Sequence, residues 1–169
     1  MRDDLLFENR GPAITNEDIA LFERRWELRI PPSLREFFLG YNGKRPSQSN
    51  EFYPVPETFH AFYEEYNVAQ EVVCGIYIAV FYPLVIAPPA SSVERVMTGY
   101  ADSDQLVKDR IPFAGDGCGN EFQVECGIGR KDTVFFWDHE LQREFQVAES
   151  VDEFLERLTH APQELDTET

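Results

Sequence analysis

The stretch IPFAGDGCGNEFQVEC, residues 111–126, decides the fold prediction, because three closely spaced glycines stand directly before a segment of alternating polarity. Phe122, Val124 and Cys126 alternate with polar residues, and a period of two is typical of a half-buried β-strand. A glycine loop that binds phosphate normally leads into a helix, whose free N–H groups hold the anion. The stretch therefore predicts a tight turn that leads into a strand, with glycines that supply positive φ angles.

Other kinds of site fit the same stretch less well. A calcium loop of the EF-hand type, counted from Asp116, needs oxygen ligands at its third and twelfth positions, where Cys118 and Gly127 stand. A catalytic pairing of Cys118 with a distant histidine stays open, because one sequence cannot show which side chains meet in space. His139, between two acidic residues in WDHE, could do acid-base chemistry, but a charged turn between strands explains it better. We expect no catalytic residue, no metal and no cofactor.

The composition favours a folded domain with a protein partner. The chain has 169 residues, among them 14 Phe, 7 Tyr and 2 Trp, which is enough for one domain with a substantial core. Its 31 acidic and 15 basic residues give a formal net charge of −16. Such a surface repels a phosphate backbone, so we expect no nucleic-acid ligand, and a partner that is a basic protein.

The sequence also bears on location. The N-terminal segment MRDDLLFENRG lacks the features of a signal peptide, and no apolar run is long enough to cross a bilayer. The cysteines Cys74, Cys118 and Cys126 lack the paired spacing of a zinc site or a disulfide framework, which fits a reducing compartment. We therefore expect a cytoplasmic protein that does not interact with membranes.

Two helices are predicted near the N-terminus. The segment ITNEDIALFERRW begins with a capping box, Thr15 with Asp18, and then places apolar residues on one helical face. The segment PPSLREFFLGYNG has Pro32 at the first helical position and a regular apolar stripe. It ends in Asn42-Gly43, a pair that tolerates a left-handed C-terminal cap.

Strand signals dominate the rest of the chain, between further helices. In chain order these elements are an aromatic helix in PETFHAFYEEY, buried strands within VVCGIYIAVFYPLVIAPP, a helix capped by Ser91 and Glu94, strands in KDTVFFWDHE and REFQVA, and a closing helix capped by Ser150 and Glu153. This order predicts a single α+β domain, residues 14–160, with a mixed, mostly antiparallel sheet, two N-terminal helices and a C-terminal helix. Residues 1–13 are an N-terminal extension, and residues 161–169 are an acidic tail.

Several linked motifs resemble those of a known family. A phenylalanine-glutamate pair in the first helix, a proline before the second helix, an asparagine-glycine pair after it and the later glycine turn resemble the Smi/Knr branch of the SUKH superfamily, over residues 14–158. That family usually has an aspartate where this chain has Asn120, and either side chain can cap a turn. The tryptophans are expected to pack in the core, although both could anchor a partner. The residues assigned a structural role are Phe22, Glu23, Trp26, Pro32, Asn42, Gly43, Gly117, Gly119, Asn120 and Trp137.

The resemblance implies a function in binding proteins. Many bacterial members of the family are immunity proteins that neutralise a cognate toxin, often a nuclease or a deaminase, and fungal members resemble regulatory scaffolds in cell-wall synthesis. No catalytic residue carries over. The leading hypothesis is therefore immunity, and the alternative is a regulatory adaptor. Acidic residues that could dock a basic toxin are Glu57, Glu64, Glu65, Asp102, Asp104, Asp152, Glu153 and Glu156.

Overall fold

The computed structural model describes residues 7–8, 12–43, 45–46, 52–54, 78–84, 92–102, 109–117, 119–127, 129 and 131–160. Helices and strands alternate irregularly along the chain, as an α+β fold requires. In order they are β1 (Phe7–Glu8), α1 (Asn16–Trp26), α2 (Pro32–Tyr41), β2 (Arg45–Pro46), β3 (Phe52–Pro54), β4 (Val80–Phe81), α3 (Val93–Asp102), β5 (Arg110–Gly115), β6 (Glu121–Glu125), β7 (Val134–Asp138), β8 (Arg143–Ala148), α4 (Val151–Glu156) and β9 (Leu158–His160). The predicted helix in PETFHAFYEEY and most of the apolar segment before residue 78 lie outside the described residues.

Helix α1 begins as its sequence predicts. The backbone N–H of Asp18 donates to the Thr15 hydroxyl at 3.3 Å, and the Asp18 carboxylate accepts from the Thr15 backbone N–H at 2.8 Å. These two bonds satisfy donors that have no partner inside the helix. Ser150 caps α4 in the same manner, because its hydroxyl accepts from the Glu153 N–H at 3.1 Å. The predicted starts of α1 and α4 are confirmed, whereas at α3 the hydroxyl that accepts from the helix, from the Arg95 N–H at 3.2 Å, is that of Ser92 and not Ser91.

The end of α2 differs in detail from the prediction. Only Gly43 takes the left-handed conformation, with φ of 63°, whereas Asn42 has φ of −50°. Asn42 is buried, and its side chain donates to the Pro12 carbonyl at 2.8 Å and accepts from the Leu84 N–H at 2.7 Å. An amide is required here because it is both a donor and an acceptor. Asn42 therefore ties the end of α2 to two distant segments.

A five-stranded meander forms the main sheet, in the order β4-β5-β6-β7-β8. Two further ladders pair β1 with β2 and β3 with β9. All these described pairs are antiparallel, so the parallel pair that a mixed sheet contains is not found within the described part of the chain. Strand β1 lies in the predicted N-terminal extension and pairs with β2. The boundaries of that extension and of the acidic tail stay predictions.

Aromatic side chains join the helices to one face of the sheet. The Phe37 ring of α2 lies 5.1 Å from the Phe81 ring and 5.4 Å from the Phe113 ring, measured between centroids. The Phe154 ring of α4 lies 5.4 Å from Phe113 and 5.2 Å from Phe122. Edge-to-face and tilted contacts at these distances stabilise a core beyond simple burial. Helices α2 and α4 therefore cover the same sheet face and complete one hydrophobic core.

Burial on the other face decreases from β6 to β8. Glu121 and Gln123 on β6 are 6% and 4% exposed, although the sequence predicted a half-buried strand with its polar residues in solvent. Phe135 and Trp137 on β7 are half-buried, and on β8 Arg143, Glu144 and Gln146 are exposed. The expected alternation thus holds on β7 but not on β6, where polar side chains are also covered.

Candidate functional site

The structure locates four of the acidic residues predicted to bind a partner. Asp102 is exposed at the last position of α3, and Asp152 and Glu156 are exposed on α4. Helix α3 contacts β5, whereas α4 contacts β8, three strands further along the sheet. Asp102 and the α4 residues therefore lie on different elements of the fold. The others, Glu57, Glu64, Glu65 and Asp104, lie outside the described residues.

Glu153 has an internal role. Its carboxylate accepts from the Glu149 backbone N–H at 2.6 Å and forms an ion pair with Arg157, one helical turn later. A carboxylate at the first turn of a helix satisfies free N–H groups and is stabilised by the helix dipole. Glu153 is thus committed to the start of α4, while Asp152 and Glu156 are exposed.

Asn120 connects the two turns at one end of the sheet. Its amide nitrogen donates to the Asp116 carboxylate at 2.8 Å, within the glycine turn. Its side-chain oxygen accepts from the His139 backbone N–H at 3.1 Å and lies 2.9 Å from His139 Nδ1. The glycine turn and the β7–β8 turn are therefore one hydrogen-bonded unit.

The glycines of this turn have the conformations that the sequence predicts. Gly117 has φ of 82° and Gly119 has φ of 104°. A Cβ at Gly119 would also lie 3.0 Å from the His139 ring, so a side chain there meets both backbone strain and a contact. The turn-and-strand interpretation of residues 111–126 is confirmed, because strand β6 and not a helix comes directly after the glycines.

A buried carboxyl group lies next to this turn. Glu121 Oε2 accepts a hydrogen bond from the Tyr100 hydroxyl at 2.6 Å. Burial raises the pKa of Glu121 to about 7, with a further contribution from Asp116 and partial relief by hydrogen bonds from Tyr100 and Gln123. The same burial and the nearby Glu121 charge raise the pKa of Tyr100, and burial likewise raises that of Tyr82. The hydrogen bond between Tyr100 and Glu121 therefore connects α3 to β6 of the main sheet.

The candidates for catalysis do not assemble into a site. His139 lies in the turn after β7, where its ring packs over Gly119 and bonds to Asn120. Asp138 closes that turn by accepting from the Glu140 and Leu141 N–H groups. Cys126 is buried, and burial raises the pKa of its thiol, which disfavours the reactive thiolate. Cys118 lies outside the described residues.

Within the described ranges, no group of three or more His, Cys, Asp or Glu side chains could hold a metal ion. Nor does any helix in those ranges have the length and apolar character needed to span a bilayer.

A cleft of about 400 Å³ lies between the α1–α2 connection and the segment after β6. Arg29, Pro31, Arg35 and Gly127 are among its lining residues. The Arg35 guanidinium is held by both Glu23 oxygens at 2.9 Å, and Glu23 also accepts from the Ile30 N–H. The motif residue Glu23 therefore shapes this connection. Because two arginines line the cleft, it does not complement a basic partner.

The two tryptophans are half-buried, so their burial fits both a core role and a role as partner anchors. Trp26 packs against the core and lies 6.3 Å from Phe22, but its buried Nε1 has no hydrogen-bond partner among the residues that the structure describes. Trp137 lies on the outer sheet face opposite Glu144 of β8. Sequence reasoning missed this outer face, where the Arg110 guanidinium stacks over Phe135 at 3.8 Å. In the sequence, only the alternating pattern of VFFWD, residues 134–138, indicates this outer face of the sheet.

Comparison with known proteins gives one match. The model of the SMI1 / KNR4 family (SUKH-1) matches residues 13–157, which is most of the chain. No curated protein and no solved structure matches it.

Proposed function

Because the chain belongs to the SMI1 / KNR4 family (SUKH-1), we propose that it is an immunity protein that binds a cognate toxin domain and neutralises it without catalysis. Family membership is the observation that carries this proposal. Immunity and regulatory roles are both consistent with this family. The polar clusters of the described residues are held in hydrogen bonds at turns and helix caps. This use of polar side chains in structure, and not in chemistry, supports a binding role. A nuclease or a deaminase is the toxin class that we propose.

Charge supports a basic toxin domain as the partner. The chain carries a formal net charge of −16, and Asp102, Asp152 and Glu156 expose carboxylates. A toxin that acts on nucleic acid needs a positive surface to hold phosphates. Acidic side chains that dock there would cover the site and exclude the substrate. Glu57, Glu64, Glu65 and Asp104 belong to the same proposal on their sequence alone.

Co-expression tests this function. A toxin-like domain encoded by the reading frame next to this gene is expressed alone and together with the protein. We expect growth arrest by the toxin alone, and full rescue with recovery of a one-to-one complex when both are present. Persistent growth arrest, with no complex on purification, would contradict immunity. The lack of any toxin-like neighbouring frame would instead favour the regulatory adaptor.

A further inference from the structure

Glu121 is a buried acid at the contact between a helix and the main sheet. It is 6% exposed, and its Oε2 accepts from the Tyr100 hydroxyl of α3 at 2.6 Å. On β6 it stands opposite Trp137 of β7 and Gly115 of β5. The buried Tyr82, directly after β4, fills the space beside Gly115, where a Cβ would overlap its hydroxyl. Aromatic residues from three parts of the fold therefore surround this carboxyl.

The ionisable groups that face Glu121 from the described elements are acidic. Asp116, in the turn after β5, is 4% exposed and adds a second carboxyl, and Tyr82 and Tyr100 are phenols. Burial, with a further contribution from Asp116, raises the pKa of Glu121 to about 7, although hydrogen bonds from Tyr100 and Gln123 favour its charged form. Loss of the proton therefore leaves a poorly compensated charge inside the protein.

The second half of α3 covers this carboxyl with little buried surface of its own. The buried hydrophobic side chains of the helix, Val93 and Met97, lie in its first half. Tyr100 is half-buried, and the residues around it are exposed: Thr98, Gly99, Ala101 and Asp102. Segments with little buried apolar surface open locally at a lower free energy than global unfolding requires. We call residues 98–102 the α3 end.

We propose that the α3 end is a pH-responsive cover, which separates from the sheet more readily once Glu121 has lost its proton. Separation removes Tyr100 and lets water reach the carboxylate, which then ionises as an ordinary glutamate does. Because the closed state holds the proton more tightly, opening becomes more favourable as the pH rises from about 4.5 and levels off above about 7. This cover is a property of the protein without a partner, so it does not depend on the proposed function.

Hydrogen exchange of the full-length protein tests the cover. Amide exchange rates in the α3 end, divided by those of unstructured peptides at the same pH, give its opening constant. We expect that constant to rise about 70-fold from pH 5 to pH 8, since the carboxyl has a pKa of about 7 when closed and of 4.5 when open. In Glu121→Gln we expect a change of at most about threefold, because an amide does not titrate. An equal rise in the parent and the variant would overturn the proposal.

Two further variants identify the titrating group. Asp102→Asn is the matched control, because it removes an exposed carboxyl from the same helix end, and the rise should persist in it. Tyr100→Phe removes a hydrogen bond that stabilises the charged form but keeps the buried carboxyl, so the rise should level off at a higher pH. A rise that is lost in either variant, or that is unshifted in Tyr100→Phe, would contradict the cover.

Denaturant separates local opening from unfolding of the whole chain. Strand β6 lies at the centre of the main sheet, so its amides report the global reaction. Denaturant accelerates each opening in proportion to the surface that the opening exposes. We expect a larger opening constant and a weaker dependence on denaturant for the α3 end than for β6. Equal constants with equal denaturant dependence would mean that Glu121 is exposed only by global unfolding, which would overturn the cover.

Discussion

Asn120 works as a hydrogen-bond adaptor because its side chain carries both a donor and acceptors. The donor faces the Asp116 carboxylate at 2.8 Å, and the oxygen faces His139. An aspartate in its place would put two carboxylates in contact, and like charges at that distance repel. The sequence suggested that either residue could cap the turn, but the geometry of this chain requires the amide.

The variant Asn120→Asp tests this reading of the turn. We expect it to lower the free energy of unfolding by about 1 to 2 kcal/mol at pH 7, with part of the loss recovered near pH 4 as a carboxylate takes up a proton. Thermal unfolding at the two pH values measures this. Equal stability of the variant and the parent at pH 7 would show that Asp116 and residue 120 do not interact.

Glu121 makes stability depend on pH in a defined direction. Its pKa is raised to about 7 in the folded protein, so the folded state holds a proton that the unfolded state has already lost. Its contribution is therefore fully present below the ordinary glutamate pKa and disappears as the pH rises through about 7. We expect Glu121→Gln to gain about 2 kcal/mol relative to the parent between pH 5 and pH 8. Denaturant unfolding at both values measures the gain, and a constant difference would contradict the buried acid.

At the scale of elements, helix α3 contains Gly99 at a position where the backbone does not require a glycine. A Cβ at Gly99 would meet nothing within 4 Å, and Gly99 does not have a positive φ. Gly99→Ala should raise the free energy of unfolding by about 0.5 to 1 kcal/mol, because alanine loses less backbone entropy. Gly119→Ala is the matched control and should lower it, since φ is 104° there. Thermal melts compare the two, and stabilisation by both would refute the assignment of the glycine turn.

Local signals explain which elements the sequence could predict. The capping residues Thr15 and Ser150, the glycine turn and the alternation in VFFWD each act within a few residues, and all reappear in the structure. The burial of Glu121 depends on Tyr100 from another element, and no local pattern contains that contact. The position of β8 at the sheet edge is likewise a property of strand order. Sequence patterns therefore predict elements better than they predict the contacts between elements.

At the scale of the whole molecule, the net charge of −16 would attract the basic partner that we propose. Attraction between opposite charges speeds association, and added salt screens it. We expect the association rate with the toxin domain to fall steeply as salt is raised, and the double reversal Asp152→Lys with Glu156→Lys to lower it at low salt. Glu36→Lys with Glu27→Lys, at exposed positions near the first two helices, is the matched control. Surface-binding kinetics measure this rate, and an association rate that does not change with salt concentration would contradict electrostatic docking.

We propose that the protein neutralises a toxin by binding it in a fixed ratio. The most direct test is to add increasing amounts of the purified protein to a constant amount of the neighbouring toxin domain and to measure the remaining toxin activity. We predict a linear loss of toxin activity that is complete at one equivalent, with the mass of the toxin unchanged. Undiminished activity at a large molar excess, or complete inactivation by a small fraction of an equivalent, would contradict it.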